Sequence, residues 1–274
     1  IPLRVAVRLG PERETPKAAG SFQRPIGAAR VVPVQPDPPD LQRLLAEARE
    51  AQGKPYYPEA QDAADRTAYY QGIKSSLKGK PLFQALTALV TTTHATRPKY
   101  APHREVYPWV DLRPDGKLRS VYSNLTYSAE ELIRESYRVE QARERFERSL
   151  KERLGSLPSQ QIALELDALE ASLPYNCEHV VPQSWFGKKE PMRGDLHHLF
   201  TCESNCNSFR GNTPYFDFPD YQEVVREDCG KREMNADTSK PGFEPALGKG
   251  EVSRATLYVI LRYPKEVSGS KEYP

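Results

Sequence analysis

All four cysteines of this 274-residue chain, Cys177, Cys202, Cys206 and Cys229, fall in one stretch of its C-terminal half, alongside three of its five histidines. Any cross-link or metal centre built from them must therefore be local, and it fixes how the chain between them folds. Two arrangements fit. Thiolates in a tetrahedral set prefer Zn²⁺, and a four-cysteine structural zinc would staple a small motif. Two disulfides would do the same in an oxidising compartment. A nucleophilic role for one of these cysteines is disfavoured, because no charge partner accompanies it at motif spacing.

The remaining composition sets broad limits. The length suffices for a large buried core. Lys and Arg number 39 against 37 Asp and Glu, a net charge of +2, which rules out a histone-like arm and leaves room for a locally basic face. From Lys74 to Arg119 nine basic residues face three acidic ones, a weak sign of a phosphate-contacting patch. No run of about 18 apolar residues occurs, so no membrane span is expected. No basic start followed by a long apolar segment opens the chain, which fits either a signal already removed or none.

Along the chain, residues 1–60 read as an irregular, proline-rich basic arm. It carries a short strand at Leu3–Leu9 and one amphipathic helix after Asp40, on which Leu41, Leu44, Leu45 and Ala48 recur at helical spacing until Gly53. The body is expected from residue 61 to residue 274. Helices are predicted over Asp62–Tyr70 and around Leu82, Leu86 and Val90. Between Arg97 and Asn124 prolines and an Asp115-Gly116 turn predict two short strands in a hairpin. Ser128–Leu154 reads as a long polar helix with Glu130/Arg134, Glu144/Arg148 and Glu147/Lys151 four apart. With Ser159–Leu173 it predicts a helical hairpin insertion at about 128–172, which we assign to packing.

After Pro174 the texture changes. Tyr175-Asn176-Cys177-Glu178-His179 is followed by Pro182-Gln183-Ser184-Trp185-Phe186, then Asp195-Leu196-His197-His198-Leu199, then Asn207-Ser208-Phe209-Arg210-Gly211-Asn212. Apolar flanks predict two short strands followed by a helix. A neutral imidazole accepts a proton near physiological pH, so His179 is a candidate general base. Glu178 and the Asn207 amide are hard oxygen donors suited to Mg²⁺. Arg210, a helical turn beyond Asn207, can donate paired hydrogen bonds to a phosphate. On residue types alone this is weak, since strand neighbours such as Glu178 and His179 point to opposite faces.

These segments closely resemble the bacterial endonuclease I family, whose motif runs Tyr-Asn-x-Glu-His, Pro-x-Ser-Trp-Phe, Asp-Leu-His-His-Leu and Asn-x-x-Arg-Gly-Asn. The resemblance extends from about residue 62 to about residue 265, through Tyr69-Tyr70 and Gly79-Lys80 upstream and Phe243-Glu244-Pro245, Lys249-Gly250 and Arg254-Ala255 downstream. It implies an α+β fold, a mainly helical body around a ββα-metal (His-Me finger) motif. It implies a sequence-nonspecific endonuclease acting on DNA and also RNA through backbone contacts, with His179 activating water, one Mg²⁺ on Glu178 and Asn207, and 5′-phosphate and 3′-hydroxyl products. Mn²⁺ or Ca²⁺ can replace Mg²⁺ on this reading, the protein is a monomer, and its location is extracellular or periplasmic. The family's His179 is commonly oriented by a backbone carbonyl near the second strand, for which Arg193 and Gly194 are the candidates. The family's inter-strand phosphate-binding arginine has no clear match among Lys188, Lys189 and Arg193. His197 and His198 are expected to be structural, and Asn176 and Asn212 to hold turns. Two other classes compete: a zinc-stapled nucleic-acid-binding module, and a zinc hydrolase using His179, His197 and His198.

Overall fold

Apolar periodicity places the first helix, α1 (Pro39–Gln52), where the sequence suggests it, with Pro39 and Asp40 in the opening turn and Leu41, Leu44, Leu45 and Ala48 all buried. The structure, a computed structural model, describes residues 36–53, 58–154, 175–219, 221, 229–235 and 239–267. The strand expected at Leu3–Leu9 and the helix expected over Ser159–Leu173 lie outside them. One compact unit spans Asp37–Pro274. The body therefore begins at Asp37 rather than near residue 60. The stripe of α1 is the reason, because it packs into a core with Val106, Tyr107, Leu132 and Ile133.

Two further helices follow, α2 (Glu59–Tyr70) and α3 (Gly79–Thr93), then a π-helical turn at Val106–Val110. The antiparallel pair β1 (Lys117–Arg119) and β2 (Thr126–Ser128) comes next. The Asp115-Gly116 turn does not join them, as the sequence suggests it would. It leads into β1, with the Asp115 carboxylate accepting from Lys117 N at 3.0 Å and Gly116 at φ +73°, and the strands are joined through residues 120–125. Helix α4 (Ala129–Leu154) follows at once, its first turns buried through Ala129, Leu132, Ile133 and Tyr137. Because α1 lies against this end, Glu130 pairs with Arg49 and Arg134 with Asp37, instead of Glu130 pairing with Arg134 along the helix.

The central element is the antiparallel pair β3 (Tyr175–His179) and β4 (Leu199–Glu203), in register Tyr175 to Glu203 and His179 to Leu199. Both its faces are covered. Tyr175, Cys177 and Leu199 join the core built on α1 and α4, while Val180 and Cys202 join a second core with Tyr122 and Phe243. The His197-His198 pair lies just before β4, in a 3₁₀ turn at Leu196–His198. Then come α5 (Ser204–Arg210), the antiparallel pair β5 (Gly230–Asn235) and β6 (Lys240–Pro245), α6 (Lys249–Arg262) and the short α7 (Pro264–Val267). The fold is thus α+β. No helix among the described residues is long and apolar enough to cross a membrane.

His103 sits 3% exposed beside Tyr137, and its Nε2 has no hydrogen-bond partner among the described residues. Burial, aided by Arg104, holds its pKa down from 6.5 to about 4. As pH falls, the unfolded chain takes up this proton first, so the contribution is fully present above pH 6.5 and is lost as pH drops toward about 4. We expect His103→Phe to flatten that acid limb. In urea unfolding at pH 7 and pH 5, the wild type should lose about 2 kcal/mol more than the variant. Equal losses would remove His103 as a cause.

Candidate active site

At the open end of β3 the chain turns through Val180–Pro182, and a cavity of about 300 Å³ opens between this end and α5. Cys177, Glu178, His179, Gln183, Lys188, Asn207, Arg210 and Asn212 line it. Glu178 and His179, neighbours on one strand, both reach it because they sit at the strand's last residues. Four residues singled out from sequence, Glu178, His179, Asn207 and Arg210, are brought together here.

Glu178 is 1% exposed, and the described residues engage only one of its oxygens. Oε1 accepts from Arg210 Nη1 at 2.8 Å and from the Tyr122 hydroxyl at 2.6 Å, while no described residue engages Oε2. Burial pushes the carboxyl above its ordinary value, opposed by Arg210 and Tyr122. Burial also pushes the Tyr122 phenol well above its usual range, so it stays a donor, and Tyr215 donates to it in turn at 2.6 Å. Neither tyrosine stands out in the sequence, since nothing local distinguishes either from the other aromatic residues.

Arg210 has a different role from the one expected. Its Nε donates to Thr213 O at 3.0 Å, Nη1 also to His179 O at 3.1 Å, and Nη2 to Val180 O at 2.7 Å, with the guanidinium 4.7 Å from the Tyr215 ring centre. Four of its five protons thus go to acceptors within the protein, and the residue is 1% exposed. It holds Glu178 and the end of β3 rather than offering a fork to a phosphate.

His179 Nε2 donates to Arg193 O at 2.9 Å, one of the two carbonyls proposed from sequence. A carbonyl only accepts, so this bond puts the ring proton on Nε2 and leaves a lone pair on Nδ1, which no described residue engages. Burial, with His198 alongside, holds the imidazole well below its ordinary value, hence neutral. Its ring lies 5.0 Å from that of Tyr100 and 5.4 Å from that of His198. The carbonyl is fixed by a clamp that the sequence does not reveal: Glu190 accepts from Gly194 N at 2.8 Å and from Tyr100 N at 3.1 Å. Gly194 is required here, because a Cβ would collide with the carbonyl of Pro98. The Arg193 side chain lies 4.7 Å from the Tyr100 ring centre and gives its Nε to Gln183 at 2.9 Å, while its two terminal nitrogens are not engaged by any described residue.

Asn207 Nδ2 donates to Asn176 Oδ1 at 2.7 Å, which turns the Asn207 oxygen away from that partner, and no described residue engages it. Glu178 Oε2 and Asn207 Oδ1 are thus two hard oxygen donors on one cavity, a donor set that fits Mg²⁺ or another hard divalent ion. His198 is buried, with Nε2 on Met192 O at 2.7 Å, the structural role expected for it. His197 does not line this cavity but another, with Phe200 and Tyr258.

The cysteines follow neither expected scheme. Cys206 and Cys229 form a disulfide, while Cys177 and Cys202 are buried thiols. The strand register explains this. Cys177 lies opposite Thr201, and Cys202 opposite Asn176, so the two thiols face opposite sides of the hairpin and join different cores. Burial pushes the Cys202 thiol well up, away from the thiolate a zinc would need. No group of three His, Cys, Asp or Glu poised for a metal occurs among the described residues.

A family model described as Endonuclease I matches residues 84–273 of the chain. No curated protein and no solved structure matches it.

Two measurements check this geometry. In the absence of reductant, thiol titration should find the native protein unreactive and two thiols per denatured chain; zero or four would mean another pairing. Arg210→Met should remove about 3–5 kcal/mol of stability by stranding the Glu178 carboxylate, whereas Glu178→Gln should lose roughly 1–2. Comparable losses in the two variants would show that the ion pair does not organise the site.

Proposed function

From the premise that this chain belongs to the endonuclease I family, and is therefore a nuclease that hydrolyses phosphodiester bonds, we propose that it is a Mg²⁺-dependent, sequence-nonspecific endonuclease cutting DNA and also RNA through a ββα-metal motif formed by β3, β4 and α5. Nucleases of this family generally depend on a divalent metal, and Mn²⁺ or Ca²⁺ would serve as substitutes. One observation carries the reading. The carbonyl-held His179 and the unengaged oxygens of Glu178 and Asn207 line a single cavity.

On this reading the lone pair at His179 Nδ1 takes a proton from the attacking water, while the bond from Nε2 to Arg193 O keeps the ring in the required tautomer. Glu178 Oε2 and Asn207 Oδ1 would hold the metal. Bound there, a divalent ion would supply positive charge against the scissile phosphate and the leaving 3′ oxygen. Arg210 fixes Glu178 from behind. The unengaged terminal nitrogens of Arg193, steadied by Tyr100 and Gln183, support a role in binding the phosphate, the part first sought at Arg210. Products would carry 5′-phosphate and 3′-hydroxyl ends. We further propose a monomer acting outside the cell or in the periplasm, where a disulfide such as Cys206–Cys229 persists.

The test is cleavage of supercoiled plasmid and of RNA. With Mg²⁺ the protein should nick and then degrade plasmids of unrelated sequence, and chelator should stop it. His179→Ala, checked for an unchanged melting transition, should slow cleavage by about 10²–10⁴-fold. Arg193→Gln, which keeps the carbonyl, should weaken substrate binding and reduce its salt dependence. Plasmid that survives Mg²⁺, Mn²⁺ and Ca²⁺ alike would defeat the proposal.

A further inference from the structure

The His197-His198 dipeptide divides between two tasks, and only one of them is explained by packing. His198 is buried, but the His197 side chain is 60% exposed. Its Nδ1 lies 2.8 Å from Asp195 Oδ1, and its ring stacks on Tyr258 at 4.3 Å and 22°. Asp195 itself is buried and receives four hydrogen bonds. His197 N at 3.1 Å and Nδ1 reach Oδ1, while the hydroxyls of Tyr258 at 2.9 Å and Tyr263 at 2.8 Å reach Oδ2. Capping the 3₁₀ turn accounts for the bond to His197 N. It does not account for an imidazole held by a buried carboxylate while its side chain stays largely exposed.

His197 faces a cavity of about 310 Å³ on the α6 side of β4, which it shares with Phe200, Glu251, Arg254, Ala255 and Tyr258. Arg254 and Glu251, one turn apart on α6, are exposed, and neither is paired with a described residue. On the far side, His94 approaches Asp195 Oδ2 at 3.7 Å, its ring 6.1 Å from that of His197, and accepts from Arg262 Nε at 3.0 Å. His94 thus has a cationic partner of its own.

We propose that His197 and Arg254 form a phosphate-recognition subsite, separate from the cavity at Glu178 and Asn207. When the imidazole is doubly protonated, Asp195 balances its charge and Nε2–H becomes an outward donor of fixed direction. Arg254 adds a guanidinium fork matched to phosphate oxygens. A cation would be a poor occupant. The cavity offers it one imidazole and one carboxylate, with a guanidinium in the same lining. Glu251 opposes an anion instead and limits its affinity, which gives the subsite a signature. The ligand is a phosphate group, whether in a nucleic-acid backbone or free. The inference does not need the cleavage reading to hold.

The experiment is histidine side-chain NMR of the full chain in chelator at mildly acidic pH. Signals are assigned with His197→Gln, and the protein is titrated with inorganic phosphate and, separately, with a short DNA duplex. The His197 resonances should shift, Arg254→Gln should weaken the response about tenfold, and Glu251→Gln should strengthen it. A duplex that acts well below the phosphate concentration identifies a nucleic-acid backbone as the source. Phosphate acting alone identifies a free-phosphate site. Both outcomes uphold the subsite. No shift with either probe overturns it, as does, in a separate titration without chelator, Zn²⁺ binding at His197 that Glu251→Gln abolishes. Chelator withholds the metal that the proposed cleavage would need, so failure here and failure of the nuclease reading are read separately.

Discussion

The pairing of Glu178 with Arg210 is the interaction around which the rest of the site is arranged. Both side chains are essentially removed from water, and taking two charges out of water costs several kcal/mol per ion unless lone pairs and protons find partners. The structure meets this condition with local backbone. The carbonyls of His179, Val180 and Thr213 take three of the four guanidinium protons that Glu178 does not. Those carbonyls belong to the end of β3 and to the turn after α5. The ion pair therefore also sets how α5 sits against the strand, and with it where Asn207 lies relative to Glu178. Tyr122 and Tyr215 complete the arrangement from the loop after β1 and the segment after α5.

A second, independent constraint fixes His179. His179 is oriented by a carbonyl, and that carbonyl lies in the loop before the 3₁₀ turn, which by itself has little reason to hold one position. Glu190 supplies the reason by bonding two separate backbone amides, Tyr100 N and Gly194 N. Tyr100 then packs on the His179 ring and carries the Arg193 guanidinium. A single carboxylate on the loop thereby couples the tautomer of His179 to the placement of a cation beside the cavity.

What the sequence reveals and conceals follows from the range of the interactions. Helices α1 to α4 are legible because their apolar stripes or polar runs are local. The segment Tyr175–Asn212 is legible because its residue types match a known pattern. The partners of those residues are not. Tyr122 lies 56 residues from Glu178, and Tyr215 lies 93 from Tyr122, so no spacing rule links them. The same reason places α1 in the body rather than in the arm: its stripe is visible, but the α4 surface that covers it lies some eighty positions away. The cysteines mislead for a different reason. Clustering in sequence suggests four ligands or two bridges, yet β3 and β4 present Cys177 and Cys202 to opposite faces, and only the third dimension shows it.

The charge balance around the cavity bears on how such a site would work. In the proposed nuclease the metal would rest on one carboxylate and one amide, and the carboxylate's charge is already largely offset by Arg210. Two oxygens with little net charge make a weak site for a strongly hydrated divalent ion, which commonly keeps several waters and borrows substrate phosphate oxygens as ligands. On that reading tight metal binding awaits the nucleic acid, whose phosphate supplies both further oxygens and the missing negative charge. The same offset serves the base. A carboxylate left unbalanced beside His179 would favour the imidazolium, whereas one balanced by a buried guanidinium lets burial keep the ring neutral and able to accept a proton. The ion pair would thus weaken the metal site by itself while keeping its neighbour in the form that hydrolysis needs.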